Sequence, residues 1–484
     1  MDGAGHRTDS PAAAPAGLLA ALAAVVGPES VLAHDAARLV YAHDGSVLHP
    51  ATPLAVVFPR SAEQVQGVVA ACAARGVPFV ARGAGTGLSG GAMALHGGVV
   101  VALNRMTAVL SVDAPNRRAV VQPGVTNLAI SRAVAAHGLY YAPDPSSQAV
   151  CTIGGNVAHN SGGPHTLKYG VTVNHVLGVE LVLPDGTRTR VSGEGGGPDL
   201  LALLVGSEGT LGIVTEVTVR LLRRPAGVRT LLAALPGPDE ACRAVTAIIA
   251  SGVVPSALEL LDGTVVAALE AAFGLRYPEG AGALLLIEAD GPLAGLDEEA
   301  ALLADACRAH GALSVRLAQD DAERAELWKA RKRAFGALGR IARNYCTQDG
   351  VIPRTALPAM LARVSAIGAR HGLRIANVFH AGDGNLHPCI LFDDRDAGER
   401  ARVRAAGEEI LHACLEVGGS LSGEHGIGIE KREAMADQFT PADLALMARL
   451  RAAFDPAGLC NPGKLLPTGG TCLEVPPAHR QIPA

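Results

Sequence analysis

The sequence predicts an α+β fold in two main parts, and three observations carry that expectation. Short β-prone runs interleave with helical ones, glycines gather in discrete clusters, and apolar residues make up 49% of the 484 positions against 18% charged. A chain this long exceeds one hydrophobic core and points to roughly two to four domains of about 150 residues. A formal charge of −5 and 3% aromatics give no basic, aromatic-interleaved face, which excludes a nucleic-acid reader. No apolar stretch reaches the roughly 18–20 residues of a membrane span. The stretch from Gly17 to Gly27 lacks a basic flank, so it is expected to be an amphipathic helix packed on the body rather than a signal peptide. Nine cysteines, none in C-x-x-C, run from Cys72 to Cys472. Their apolar neighbours indicate reduced, buried thiols and a cytoplasmic protein.

Residues 1–40 read as an N-terminal helical segment, and residues 41–224 as the first domain. Leu54–Phe58 is apolar and β-prone. Ser61 then caps a helix that runs to Arg75 and stops at Gly76. Strands are expected at Val77–Ala81, Val99–Leu103, Ala119–Gln122, Val176–Leu183 and Leu211–Leu222. Pro184-Asp185-Gly186 folds Val176–Leu183 back onto Thr187–Val191 as a hairpin. Arg223–Gly237, with its prolines, reads as a boundary. Residues 225–430 follow as a second domain, with helices at Asp239–Ser251, Leu293–His310 and Glu399–Val417 and strands at Ala283–Glu288, Ile375–Phe379 and Ile390–Phe392. Residues 431–484 form a C-terminal segment with one more helix after Pro441.

Three familiar phosphate or nucleophile patterns fail on context. Gly85-Thr86-Gly87-Leu88-Ser89-Gly90 fits G-x-G-x-x-G and follows a strand, but no helix follows to hold a pyrophosphate at its N-terminus. Gly87–Gly91 fits G-x-S-x-G and fails for the same reason. Gly458–Lys464 imitates a P-loop but ends in Leu465, with no strand before it. A looser reading of Arg82–Gly91 survives: its glycines let successive N–H groups face one concavity that would hold an anion, with Arg82 adding charge. Two more loops resemble it chemically. Pro143-Asp144-Pro145-Ser146-Ser147 leads into Gly154-Gly155-Asn156 and Asn160–Gly163, and Gly206–Gly212 precedes a strand. Three Gly/Ser/Thr loops in one domain suit a long, partly phosphorylated ligand.

A second group lies in the other half. β-Prone runs flank Gly382-Asp383-Gly384, so His380 and His387 stand on the shoulders of a hairpin-like reversal, able to share a divalent metal. Ser422-Gly423-Glu424-His425-Gly426 offers a further carboxylate and imidazole in a flexible frame. No H-E-x-x-H supports a zincin protease.

The runs Pro59–Val65 and Arg82–Gly91 resemble the FAD-binding domain of the vanillyl-alcohol oxidase/PCMH (p-cresol methylhydroxylase) superfamily. Pro143–Ser147, Ile153–Asn156, Lys168-Tyr169-Gly170 and Gly206–Gly212 match its later FAD loops in order. Val378–Pro388, Ser422–Gly428, Phe454–Pro456 and Asn461–Lys464 resemble the C-terminal domain of FAD-linked oxidases, nearest the flavin subunit of glycolate oxidase and the D-lactate and D-2-hydroxyglutarate dehydrogenases. The resemblance implies a PCMH-type two-subdomain FAD-binding domain, a cap domain with an antiparallel sheet, and a C-terminal segment that returns to the FAD domain. It implies FAD held by Arg82, Gly83, Ala84, Gly85, Thr86, Gly87, Leu88, Ser89 and Gly90; by Pro143, Asp144, Ser147, Gly154, Gly155, Asn156, Asn160 and Gly163; and by Gly206, Glu208, Gly209, Gly212, Ile213, Val214 and Asn461. With no histidine in the first loop, the FAD is expected to be non-covalent.

The resemblance further implies that His380, His387 and Glu424 bind a divalent metal, zinc or manganese. His425 becomes the base, and Arg331 the partner of the substrate carboxylate. The expected reaction is oxidation of a small D-2-hydroxy acid, with hydride passing to flavin N5. Cys389 and Phe335 stand where hydroxyglutarate-selective relatives carry polar residues, although Thr347 stays polar; this favours glycolate or D-lactate. Electrons would pass to an iron–sulfur or second flavin-domain subunit, a quinone or an electron-transfer flavoprotein. The expected assembly is a homodimer or hetero-complex, cytoplasmic or peripheral on the inner face of the membrane. D-2-hydroxyglutarate oxidation, a non-redox flavoenzyme of the same superfamily and a metal-dependent hydrolase are the alternatives.

Overall fold

The computed structural model describes residues 14–46 and 50–468. Its first sheet is built from β1 (Val31–Leu32), β2 (Ala55–Val57), β3 (Phe79–Arg82) and β4 (Val99–Ala102), in the order β1-β2-β4-β3. β4 pairs in parallel with both neighbours, and β2 and β4 are buried along their whole length. Continuous burial is what a parallel strand covered on both faces requires, and Val-rich sequences supply it. The helix Ala62–Ala73 covers this sheet with Val65, Val68, Val69 and Cys72, the i, i+3, i+4, i+7 stripe of one helical face. Ser61 caps it, accepting from the Gln64 N–H at 3.3 Å. The helix Leu18–Val26 packs on it through Leu18, Leu22 and Val26.

The second sheet contains β5 (Val109–Asp113) and β6 (Arg118–Val121). After the short β7 (Leu139–Tyr140) come β8 (Val176–Val182), β9 (Arg188–Ser192) and β10 (Ile213–Arg220), giving the order β5-β6-β10-β8-β9, antiparallel throughout. β10 alternates buried and partly exposed residues, the period-two signature of a sheet with one covered face. β11 (Leu222–Arg223) pairs with β7 as a separate ribbon.

The third sheet is the largest. It comprises β12 (Gly227–Leu235), β13 (Ala257–Asp262), β14 (Ala283–Gly291), β15 (Ser314–Leu317), β16 (Asn344–Thr347), β17 (Arg374–His380) and β18 (Pro388–Phe392). These run antiparallel in the order β15-β12-β14-β13-β17-β18-β16, with helices packed on the sheet. The chain then returns: Phe79 N–H donates to Leu459 O, and Asn461 N–H to Phe79 O, so residues 459–461 cover the open edge of β3.

The α+β class and the antiparallel sheet of the second half, the third sheet here, agree with expectation. One stretch differs. Arg223–Gly237 holds the nine-residue strand β12, and only Arg224-Pro225-Ala226 lies between β11 and β12. The flanking prolines end the strand and do not mark a linker. The helix Asp321–Ile341 and strands β13, β15 and β16 were not anticipated. Eight described cysteines are free, seven of them buried; Cys472 lies outside the described residues.

Candidate active site

A cavity of about 400 Å³ is walled on one side by the glycine loops and on the other by residues of the third sheet, its helix Asp321–Ile341 and the 424–425 loop. Gly83–Leu88, Ser147, Gly154–Asn156, Glu208, Gly209, Gly212 and Val214 line it, as do Arg331, Phe335, Tyr345, Thr347, His387, Glu424 and His425. Gly85 adopts φ +72°, where a Cβ would meet the Arg82 guanidinium. Arg82 is 8% exposed, yet its Nη1 has no hydrogen-bond partner; the same holds for Thr152 Oγ1 in the cavity wall. Buried polar atoms rarely stay unpaired. A cationic orphan behind a glycine-lined wall fits the pyrophosphate and polar ring edge of a dinucleotide such as FAD.

Several residues expected to touch the cofactor make contacts that fix the loops of this wall, and Glu208 does so while also lining the cavity. Ser89 Oγ donates to His425 O at 3.1 Å, and Ser89 O receives the Ile429 N–H, with Gly90 against the Ile429 side chain. Asn461 Nδ2 donates to Gly91 O and Glu208 O. The Glu208 carboxylate receives the N–H groups of Ile427 and Gly428 at 2.7 and 2.8 Å. Pro143 O accepts from Asn127, Asp144 holds His165, and Asn160 Oδ1 receives the Val173 N–H. Gly163 packs on the Asp144 backbone, Gly206 N–H donates to Val157 O, and Ile213 is core. Lys168 and Tyr169 do not reach the cavity; they grip Asp290 of β14.

The β17–β18 reversal brings His380 and His387 together, with ring centroids 5.0 Å apart. Glu424 Oε1 lies 3.2 Å from His380 Nε2 and 3.1 Å from His387 Nε2. The far edge of each ring is anchored: His380 Nδ1 to Glu259 Oε1 at 2.7 Å, and His387 Nδ1 to Gln348 O at 3.3 Å. Each ring thereby keeps its proton on Nδ1 and turns Nε2 toward Glu424. Two imidazoles and a carboxylate with ligand atoms within 4.8 Å suit a divalent transition metal. Asp349, His387 and His425 also converge, but the Asp349 oxygens are already taken.

Asp349 is fully buried and receives Ser422 Oγ at 2.6 Å, the N–H groups of Gly423, Glu424 and His425, and Lys431 Nζ at 2.8 Å. Burial pushes its carboxyl up, and His425, Lys431 and His387 more than reverse this, holding it well below the usual carboxylate range. His425 lies parallel to His387, 4.9 Å between centroids. Burial pushes its pKa down to about 4 against the opposing Asp349 charge, so it is a neutral imidazole near pH 7. Arg331, 3% exposed on the helix Asp321–Ile341, gives its Nε to Glu259, and no hydrogen bond reaches its Nη groups from the described residues. It is the sole Lys or Arg in the cavity wall among the described residues.

Glu259, Asp349, Lys431 and Thr152 escaped the sequence reading. Glu259 had a signal: it is a lone acid within Ala-Leu-Glu-Leu-Leu, where an unpaired carboxylate is too costly to bury.

Fold and cavity together define a flavoprotein with the PCMH-type fold. The chain belongs to the FAD-linked oxidases: residues 224–465 match the FAD linked oxidases, C-terminal domain, and residues 53–192 the FAD binding domain. It is 48% identical over 452 residues to glycolate oxidase subunit GlcD of Escherichia coli (strain K12), covering 93% of this chain and 91% of that protein. It is 32% identical over 458 residues to D-lactate dehydrogenase of Anaerostipes hadrus, covering 91% and 95%. Among solved structures, substrate-bound p-cresol methylhydroxylase superposes with a TM-score of 0.78 at 17% identity, over 93% of this chain and 96% of that one. The protein is thus an FAD-dependent oxidoreductase, and no helix among the described residues is long and apolar enough to cross a membrane.

Proposed function

We propose that the protein oxidises a small D-2-hydroxy acid, of the glycolate or D-lactate kind, to the 2-oxo acid. The observation that carries this is the convergence of Arg331, His425 and the His380–His387–Glu424 cluster on the cavity lined by the glycine loops. The relatives named for glycolate and D-lactate oxidation support the substrate class. A single cation in the wall, beside Phe335 and Tyr345, favours a substrate with one carboxylate.

Arg331 binds that carboxylate through its Nη groups and so fixes which face of C2 meets the opposite wall. His425, neutral and desolvated, takes the hydroxyl proton on its unprotonated ring nitrogen. Bound FAD would supply the two-electron acceptor for the C2 hydrogen, and a divalent ion held by His380, His387 and Glu424 a Lewis acid at the hydroxyl. Phe335, Tyr345 and the glycine loops exclude water around the reacting carbon. Non-covalent FAD is supported by the absence of histidine from Gly83–Gly91. Kinship to a subunit of glycolate oxidase supports a hetero-complex, in which electrons leave to an iron–sulfur subunit, a quinone or an electron-transfer flavoprotein.

An anaerobic absorption spectrum before and after glycolate, D-lactate and D-2-hydroxyglutarate tests this. Bleaching of the flavin band by one of the first two is expected; bleaching by none, in FAD-replete enzyme, overturns it. His425→Ala should abolish bleaching with FAD retained, and wild-type rates in that variant would remove His425 as base. Chelation should slow turnover, and full activity in metal-free enzyme would sink the metal assignment.

A further inference from the structure

Glu259 sits on β13, directly opposite His380 in the β13–β17 ladder, with no exposed surface. Its two oxygens face different partners: Oε1 takes His380 Nδ1 at 2.7 Å, and Oε2 takes Arg331 Nε. One carboxylate thus joins the arginine proposed to bind substrate to the imidazole proposed to bind metal. Neither contact follows from chain proximity, since the partners lie 121 and 72 residues away. The Phe335 ring stands beside this guanidinium, its centroid 5.7 Å from the Arg331 Cζ.

We propose that Glu259 is a positioning residue that sets two groups at once. It holds His380 as the Nδ1–H tautomer, leaving Nε2 as a metal ligand, and it pins the Nε edge of Arg331 so that the Nη edge faces the substrate carboxylate. This rests on the metal and substrate roles proposed above. A carboxylate is required because both partners are N–H donors. A glutamine can accept from one of them, but its NH2 must then oppose the other donor. If that donor is His380, the ring turns to the Nε2–H tautomer and ceases to be a ligand. If it is Arg331, the guanidinium swings off its edge. Outer carboxylates of this kind change metal affinity by about 10–100-fold when removed.

The test uses FAD-replete enzyme and two readouts that do not depend on turnover: Zn2+ binding in competition with a chromogenic chelator, and oxalate binding followed by perturbation of the flavin spectrum. Glu259→Gln should weaken Zn2+ by about 10–100-fold or weaken oxalate, according to which donor meets the new NH2, with FAD content unchanged. Should the stranded Arg331 charge prevent folding, the Glu259→Leu/Arg331→Met double variant removes that charge together with the acceptor for His380 Nδ1, and should still lose Zn2+. Wild-type affinity for both Zn2+ and oxalate in Glu259→Gln, or wild-type Zn2+ affinity in the double variant, overturns the positioning role. The metal reading fails separately, and this proposal with it, if His387→Ala binds Zn2+ as tightly as wild type.

Discussion

Gly85 holds φ at +72°, and an alanine there would place its Cβ 2.2 Å from Arg82 Nη2. The left-handed conformation costs a non-glycine residue about 1–2 kcal/mol, and relief of the clash would move the Arg82 guanidinium, whose buried Nη1 has no partner, behind the cavity. Gly85→Ala should therefore purify with substoichiometric FAD, read from the ratio of flavin to protein absorbance, while the apoprotein melts near wild type. Full FAD occupancy would show that Arg82 does not face the cofactor. The neighbouring orphan Thr152 Oγ1 makes the complementary case: Thr152→Val should weaken FAD without disturbing the helix Ile153–His159 that follows it.

At the scale of an element, the loop Ser422–Gly428 has no regular secondary structure and depends on two buried carboxylates. Asp349 gathers its first half and Glu208 its second, so Glu424 and His425 are held between two elements distant in sequence. Asp349→Asn would leave the fully buried Lys431 without its counter-ion. Stranding one member of a buried pair costs about 3–5 kcal/mol, to be read by chemical denaturation. Pairing Asp349→Asn with Lys431→Met should recover most of that stability, yet flavin reduction should stay slow, because the N–H groups of Glu424 and His425 have lost their ionised acceptor. Recovery of both together would mean that Asp349 serves stability alone.

Across the whole molecule, the glycine-loop half and the third sheet are joined by a polar clasp. His165 Nδ1 meets Asp144 at 2.7 Å and its Nε2 meets Glu288 of β14 at 3.2 Å, while Lys168 and Tyr169 hold Asp290 on the same strand. Glu288 also takes Arg324 and Trp328 from the helix that carries Arg331, so the clasp fixes the cavity wall opposite the glycine loops. Burial pushes His165 down, but Asp144 and Glu288 more than reverse this and raise it well above the ordinary histidine value. A raised folded value means the contribution is complete below about pH 6.5, the unfolded value, and fades as pH climbs through the folded one. The melting-temperature gap between wild type and His165→Gln should thus be widest near pH 6 and narrow toward alkaline pH. A gap constant from pH 6 to 10 would show that the clasp carries no charge.

The α+β class, the capped helix after Ser61, the hairpin at Pro184–Gly186 and the paired histidines were all readable, because each depends on periodicity or turn chemistry within a few residues. The glycine clusters likewise announced a cavity wall, since conformational freedom is a property of the residue itself. The strand β12 was hidden by the prolines that flank it, and the helix Asp321–Ile341 by a surface-rich composition whose apolar face only packing reveals. The sequence by itself determined which residue types surround the cavity and which loops bend toward it. Only the tertiary structure decided that Ser89 and Asn461 brace the loops from behind the cavity wall and that Glu208, which lines it, also gathers the 427–428 backbone. It alone showed that Glu259 joins Arg331 to His380 and that Lys168 and Tyr169 reach across to β14. Those roles depend on partners tens to hundreds of residues away, and on burial that turns a carboxylate's need for hydrogen bonds into a constraint on position.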